Sequence, residues 1–338
     1  MVMDKVAVVI LNYNGADMLA CFLPSVVEYS PEARVIVADN GSTDDSVARV
    51  RTLFPAVEVI ELGTNYGFAE GYNRALALVR AQYYILLNSD VEVTRGWIAP
   101  LLAQMETDER VVACQPKLLS YNKKTHFEYA GAVGGFIDKY GYPYCRGRLF
   151  DTVEADEGQY DAPCPVFWAT GAALMVRSSV FKAVGGFDGS FFAHMEEIDL
   201  CWRMQARGGV LMAVPASVVY HVGGATLAKS NPRKTYLNFR NNLLLLYKNL
   251  PAEQLGGVMR VRYVLDYVAA VKFLLGGCWG DFKAVLRARY DFGRIKKDYA
   301  AAREENMRRA GALPVTSGFS LLWQYYARGK RLFSQLPH

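Results

Sequence analysis

Patterned cysteine is missing from the 338-residue chain. Cys21, Cys114, Cys145, Cys164, Cys201 and Cys278 lie far apart, with no C-x-x-C pair among them. That spacing argues against a zinc knuckle or a dense disulfide framework and for a reducing cytosol. Also missing is any window of about eighteen uncharged apolar residues, the length a membrane-spanning helix needs. The nearest stretch, 261–280, is broken by Arg262, Asp266 and Lys272. The apolar run in "MVMDKVAVVILNYNG" is too short for a signal peptide and passes straight into polar residues, so a cytoplasmic protein is expected. No internal repeat or low-complexity tract occurs, and nothing points to a nucleic-acid partner.

What is present is apolar material, at 52% of residues, enough for a large core. The excess of positive charge is confined to the end of the chain, where residues 251–338 carry 15 basic against 7 acidic residues. Basic and apolar side chains interleave there. The segment suits either peripheral contact with the anionic inner face of a membrane or a basic-faced helical hairpin packed on the main domain. A homo-oligomer interface is a further use of the same surface.

The first hundred residues alternate strand-like and helix-like stretches. "VAVVIL" reads as a strand buried on both faces, 16–29 as a helix, and "RVIVADN", "VEVIELG" and "YYILLNSD" as further strands separated by helices. A β-α-β-α-β-α-β order implies a parallel, doubly wound sheet, whose ligands bind at the carboxyl ends of the strands. Polar residues gather at those ends: Asn12 and Asn14, Asp39 to Thr43, Asn65 to Phe68, and Asn88 to Asp90. Residues 115–165 are irregular and rich in Gly and Tyr, as in hairpins and a long loop. A strand-like "GAALMVRSS" follows, and beyond about 232 the pattern is helical.

Three elements carry chemistry. In "VADNGSTDDS", Asp39 and Asn40 sit on a turn between strand and helix, where they can read a base or ribose or simply cap the helix. In "LLNSDVEV", Asp90 with Asn88 two residues earlier suits a hard divalent cation, and equally an ordinary turn. In "VVYHVGG", His221 follows a β-branched run and is either a metal or diphosphate ligand or a structural histidine. A fourth stretch, "FFAHMEEIDLCWR", places Glu196, Glu197 and Asp199 together, as a helix N-terminus or an active site would.

Taken in order, "VVILNYNG", "VADNGSTDDS", "TNYGFAEGYNRAL", "LLNSDVEV", "ATGAALMVRSSVF", "GGFDGSFFAHMEEIDLCWR", "YHVGGAT" and "FRNNLLLLYKN" resemble the family 2 glycosyltransferases, in particular the bacterial rhamnosyltransferase-like branch. The likeness spans about residues 5–250. It implies an α/β fold of GT-A type, with a Rossmann-like, mostly parallel sheet flanked by helices. Residues 1–115 would bind the nucleotide sugar, 116–250 the acceptor, and 251–338 would form a basic helical extension. It also implies an inverting transfer of a sugar, rhamnose or another hexose, from a dTDP-, UDP- or GDP-linked donor to a saccharide or lipid-linked saccharide of the cell surface, with Mn²⁺ or Mg²⁺ as cofactor.

Carried over position by position, the resemblance puts Asn12, Asn14, Asp39, Asn40, Asn65, Gly67, Phe68 and Asn73 around the nucleotide. Asp90 becomes the metal ligand, Asn88 its neighbour, His221 a second ligand, and Arg240 of "FRNN" a diphosphate contact. Trp168, Thr170 and Gly171 fall on the acceptor side. Glu197 is the expected general base, with Glu196 beside it as partner or alternate. Two departures stand out: "NSD" replaces the family's Asp-x-Asp, and Glu-Glu replaces its Glu-Asp, lengthening the base by one methylene.

Two rival readings predict different residues. A sugar-nucleotide pyrophosphorylase needs a Gly-rich, basic phosphate loop after the first strand, and "LNYNGADML" has one glycine and no base. A non-catalytic carbohydrate-binding protein on the same scaffold has no need of Asp39, Asp90, Glu197 and His221 together.

Overall fold

A computed structural model of the protein describes residues 3–223, 231–311, 314 and 316–337. The first half alternates strands and helices: β1 (Asp4–Asn12), α1 (Ala16–Tyr29), β2 (Arg34–Asp39), α2 (Ser46–Leu53), β3 (Glu58–Glu61), α3 (Gly67–Leu78) and β4 (Ala81–Asn88). β4, β1, β2 and β3 lie side by side and all parallel. Parallel neighbours need crossover helices, which cover both faces and explain why Val6, Ala7, Val8, Val9 and Ile10 are all buried. Gly41 turns the chain after β2 at φ +77°, and a Cβ there would lie 2.6 Å from the Thr64 backbone, so only glycine fits.

The sheet then changes character. After β5 (Val91–Val93) and α4 (Ile98–Thr107), β6 (Val111–Ser120) enters the same sheet beside a later strand. A small antiparallel sheet follows, made of β7 (Gly135–Ile137), β8 (Pro143–Cys145), β9 (Arg148–Leu149) and β10 (Thr152–Val153). β11 (Cys164–Pro165) and β12 (Ala173–Arg177) return to the main sheet, and β12 runs antiparallel between β4 and β6. Beyond α5 (Ser178–Ala183) and α6 (Glu196–Ala206), the long β13 (Val210–His221) pairs parallel to β6 with a register shift at 214–218, next to Pro215. Its far end pairs with β5, setting His221 opposite Val91 and therefore beside Asp90.

Among the described residues, four α-helices follow, α7 (Pro232–Asn249), α8 (Ala252–Leu275), α9 (Trp279–Ile295) and α10 (Ala300–Arg309), with short helical turns at Lys296–Tyr299, Trp323–Ala327 and Phe333–Gln335. α7 buries Leu243, Leu244, Leu245 and Leu246 in the main core. Pro251 separates α7 from α8, and packing continues across it. Arg303 of α10 donates to the Leu250 carbonyl at 2.6 Å, and Leu321, Tyr325 and Leu336 pack with Tyr144 and Leu149 of the small sheet.

α8 is built inside out. Its inward positions are Arg262, Asp266 and Ala270, with Arg262 ion-paired to Asp266 at 3.1 Å and Arg289 of α9 closing on the same carboxylate at 2.7 Å. Its outward positions are Tyr263, Val264, Tyr267, Val268, Val271 and Leu275. No helix among the described residues is long and apolar enough to cross a membrane.

α7 is tied to α6 by charge. Asp199, fully buried, receives Lys248 Nζ at 2.9 Å, Arg203 Nε at 2.8 Å and Asn249 Nδ2 at 2.8 Å. Burial opposes ionisation, but Lys248 and Arg203 outweigh it and hold the carboxyl down to about 2. Asp199→Ala, which strands a buried lysine and arginine, is expected to destabilise the protein by about 3 kcal/mol or more in thermal or denaturant unfolding. Because the folded pKa is depressed, the Asp199 contribution is complete above the ordinary value of 3.8 and is lost as the pH falls towards 2.

Candidate active site

The carboxyl ends of β1 to β4 bring the expected donor residues together. Asn12, almost fully buried, donates to Asp39 Oδ1 at 3.2 Å and Ser42 Oγ at 3.1 Å, while Asp39 Oδ2 accepts the Ser42 amide at 3.0 Å. Asn14, at φ +51°, accepts from the Thr43 amide at 2.7 Å. Asn40 holds the next loop, donating to Asn65 Oδ1 at 3.2 Å and the Gly67 carbonyl at 3.0 Å. These amides fix one another, and Asn12 Oδ1 is left buried without a partner.

Asp90 and His221 meet beyond the sheet edge. His221 Nε2 lies 3.1 Å from Asp90 Oδ1 and 3.5 Å from Asn88 Nδ2, and Glu128 Oε1 lies 3.4 Å from Nδ1. Burial works against charging the imidazole, but the two carboxylates hold its pKa up to about 10, and His221 in turn lowers that of Asp90. The pair sets a carboxylate oxygen against an imidazole nitrogen, the two donor types a Mn²⁺- or Mg²⁺-class ion accepts, with Glu128 near the other ring nitrogen. No group of three or more His, Cys, Asp or Glu side chains able to hold a metal occurs among the described residues. Two protein donors with open positions suit a cation shared with phosphate oxygens.

Glu196 and Glu197 occupy the first turn of α6, which starts from Met195 in the left-handed conformation with no capping side chain. The Oε2 atoms of both are buried and unpartnered. Burial pushes Glu197 up to about 7, against backbone N–H groups at the helix start that pull it down. Glu196, more deeply buried, is also pushed well above the ordinary glutamate value, by burial and by the Glu197 charge.

The loop leading to this pair is strained and clamped. Phe192, His194 and Met195 all have positive φ, at 64°, 69° and 73°. Asn241 of α7, fully buried, holds them with Nδ2 within 3.0 Å of the carbonyls of Phe191, Ala193 and His194. Phe192 O also accepts the Phe68 amide at 3.1 Å, and the Phe192 ring covers Gly67, so donor wall and base loop share a joint.

Several expectations need correction. Trp168 and Thr170 are 3% exposed, with the indole N–H on the Phe136 carbonyl and the threonine hydroxyl accepting the Ala172 amide, so both are framework rather than acceptor contacts. Gly171 does border the site, since a Cβ there would stand 4.0 Å from Glu197 Cβ. Asn73 spends both ends of its amide on the Phe187 backbone, at 2.9 Å each, and does not line the nucleotide wall. Arg240 donates to the Ser190 and Phe191 carbonyls and to Asn241, supporting the base loop in place of a diphosphate. Residues 224–226 of "YHVGGAT" lie outside the described residues. Glu128 and Asn241 were missed: Glu128 stands in an irregular Gly- and Tyr-rich stretch with no pattern to mark it, whereas Asn241 adjoins Arg240 in a motif already singled out.

The family model described as glycosyl transferase family 2 matches residues 7–177. The N-acetylglucosaminyl-diphospho-decaprenol L-rhamnosyltransferase of Mycobacterium tuberculosis is 28% identical over 233 residues, covering 64% of this chain and 76% of that one. Among solved structures, GalNAc-T7 with UDP, GalNAc and Mn²⁺ superposes with a TM-score of 0.58 at 17% identity over 88% of this chain, which spans only 57% of that one. The mannosyltransferase PcManGT from Pyrobaculum calidifontis, with GDP-Man and Mn²⁺, gives 0.53 at 13% identity, covering 91% and 86%. These likenesses are of fold, and the fold is GT-A.

Asn241→Ala should leave the chain folded, release the 191–195 loop and lower turnover by about 10²-fold through displacement of the Glu197 carboxylate. A fall in kcat with nucleotide affinity unchanged is the expected result in steady-state kinetics and calorimetry.

Proposed function

The chain belongs to glycosyl transferase family 2, and from that membership we propose that it transfers a hexose, with inversion, from a nucleoside-diphosphate sugar to a saccharide or lipid-linked saccharide acceptor. The observation that carries this reading is Glu197: a carboxylate whose buried Oε2 has no hydrogen-bond partner and whose pKa burial pushes up to about 7, at the rim of a site whose other end is the Asp90–His221 pair. Residues 1–115 hold the donor and 116–250 the acceptor. Glu197 takes the proton of the acceptor hydroxyl as that oxygen attacks the anomeric carbon, and the bond to the nucleoside diphosphate breaks on the opposite face. One displacement inverts the centre, and no covalent enzyme intermediate forms. Asn12, Asp39 and Asn40 orient the nucleotide. Asp90 and His221 would hold a divalent ion, Mn²⁺ or Mg²⁺, which when bound supplies positive charge beside the leaving diphosphate. Glu196 packs beside Glu197 in the same helical turn, and burial is what raises Glu197.

Glu197→Gln should abolish transfer while metal-dependent nucleoside-diphosphate binding persists. In the wild type, kcat/KM should rise with pH along a limb near 7, because the base works only when deprotonated, and not near the ordinary glutamate value of 4.5. Screening nucleotide sugars for Mn²⁺- or Mg²⁺-dependent turnover gives the assay, and transfer retained in the Gln variant would remove Glu197 from this role.

We also propose that the outward face of α8 docks on an anionic membrane, bringing the site to a lipid-linked acceptor. Leu275 is 83% exposed, Val264 and Trp279 each 60%, and Lys272 links this face to Tyr326 at 3.1 Å. The adjoining residues 316–337 carry Arg328, Lys330 and Arg331 and no acid, while Trp323 and Tyr326 stand exposed. Aromatic, aliphatic and basic side chains on one face suit the headgroup region. The protein should co-sediment with phosphatidylglycerol vesicles and not with phosphatidylcholine, and Val264→Asp with Val268→Asp should abolish recovery. Equal recovery from both lipids, or concentration-dependent dimers lost in the double variant, would reassign the face.

A further inference from the structure

Among the described residues, buried cations are answered by oxygen acceptors, with one exception. Lys117 meets Asp156, Lys248 meets Asp188 and Asp199, Arg203 meets Asp199, and Arg262 meets Asp266. Arg146 donates to the carbonyls of Tyr160 and Ala162. Arg148 is 9% exposed, and no carboxylate lies within ion-pair distance of it among the described residues. Its Nε has no partner, its only side-chain hydrogen bond goes to Cys145 Sγ at 3.4 Å, and its guanidinium lies 4.5 Å from the centre of the Tyr129 ring. Taking a guanidinium out of water without an anion is costly, so a fold that retains one keeps it for an anion that arrives later.

The place of Arg148 identifies the visitor. The segment 128–131 joins the two centres of the site: Glu128 contacts His221 at one end, and at the other a Cβ on Gly131 would stand 2.6 Å from Thr170, next to Gly171 and Glu197. Tyr129, 37% exposed, lies on that segment with the guanidinium over its face. Cys145, which Arg148 touches, feels the charges of both Glu128 and Glu197. Arg148 belongs to the β8–β9 hairpin of the acceptor half and to none of the strands that hold the donor.

We infer that Arg148 is an anion subsite for a phosphate group carried by the acceptor, with Tyr129 as the open side of that subsite. This deepens the transferase reading by naming the charge class of the acceptor, and it rests on that reading only for the word acceptor. A guanidinium fork pairs with two phosphate oxygens, and the arriving phosphate supplies the direct ion pair that Glu128, whose charge favours the guanidinium from beyond ion-pair distance, does not make.

The test needs neither turnover nor the identity of the sugar. Binding of geranyl phosphate, geraniol and inorganic phosphate is measured calorimetrically in EDTA, so that no cation at Asp90 and His221 recruits the anion. Geranyl phosphate should bind the wild type at least tenfold more tightly than inorganic phosphate does, geraniol should not bind, and Arg148→Met should lose at least tenfold, with Arg148→Lys, which keeps the charge and loses the fork, falling between the two. The Met variant should melt no lower than the wild type, since it removes an unpaired buried charge, and its Mn²⁺-dependent affinity for nucleoside diphosphate should be unchanged. A lower melting temperature would make Arg148 a framework residue. Equal geranyl phosphate binding by wild type and Arg148→Met, equal binding of inorganic phosphate, or a parallel loss of nucleoside-diphosphate affinity would each overturn the assignment. Because donor turnover is never read, the glycosyltransferase reading can fail or stand separately.

Discussion

Lys248 of α7 meets Asp199 of α6 at 2.9 Å with both side chains buried, and the geometry of the site hangs on that ion pair. It locks two helices that carry the candidate site, Glu196 and Glu197 on one and the Asn241 clamp on the other. Three left-handed residues in the 192–195 loop each cost about 1–3 kcal/mol, a strain that persists only where the surroundings over-determine it. Asn241 supplies that determination from a helix the Lys248 pair has already placed. Helix packing and base position are therefore one structural problem.

Charge is distributed by the same logic. Three carboxylates fall within four positions of α6, and the structure treats them oppositely. Asp199 is compensated by two cations and ionises easily, while Glu196 and Glu197 are left with buried, unpartnered oxygens and ionise late. A carboxylate neutralised by a fixed cation makes a good anchor and a poor base. Arg148 is the cationic counterpart of the glutamates, and Asp90, His221 and Glu128 form a middle case in which a proton takes the place of a cation.

The fold was legible because periodicity and strand-end polarity are local properties. The parallel order of β1 to β4, the helix at 16–29 and the hairpins in 115–165 all follow from them, and so does the gathering of Asn12, Asp39, Asn40 and Asp90. Less was legible where a side chain's role depends on burial. Trp168 and Thr170 flank Gly171, which lies beside Glu197, yet are themselves buried, and the guanidinium of Arg240 is engaged by the Ser190 and Phe191 carbonyls. Glu128 and Arg148 came from the stretch with the weakest pattern. Their importance arises from contacts across 93 and 19 residues of sequence, to His221 and Tyr129, which no window of sequence displays.

The Glu-Glu pair can now be weighed physically. A glutamate at 197 reaches about one bond length farther than the aspartate of the familiar pattern, enough displacement to matter for a base. The residue opposite is Gly171, with its missing Cβ 4.0 Å from Glu197 Cβ and 2.9 Å from Phe68 Cζ. A side chain at 171 would push against the Phe68 ring and stand only in ordinary contact with Glu197 Cβ, so the glycine answers first to Phe68. The longer reach of Glu197 is set by its own helix start, where the 192–195 loop and the Asn241 clamp fix the backbone.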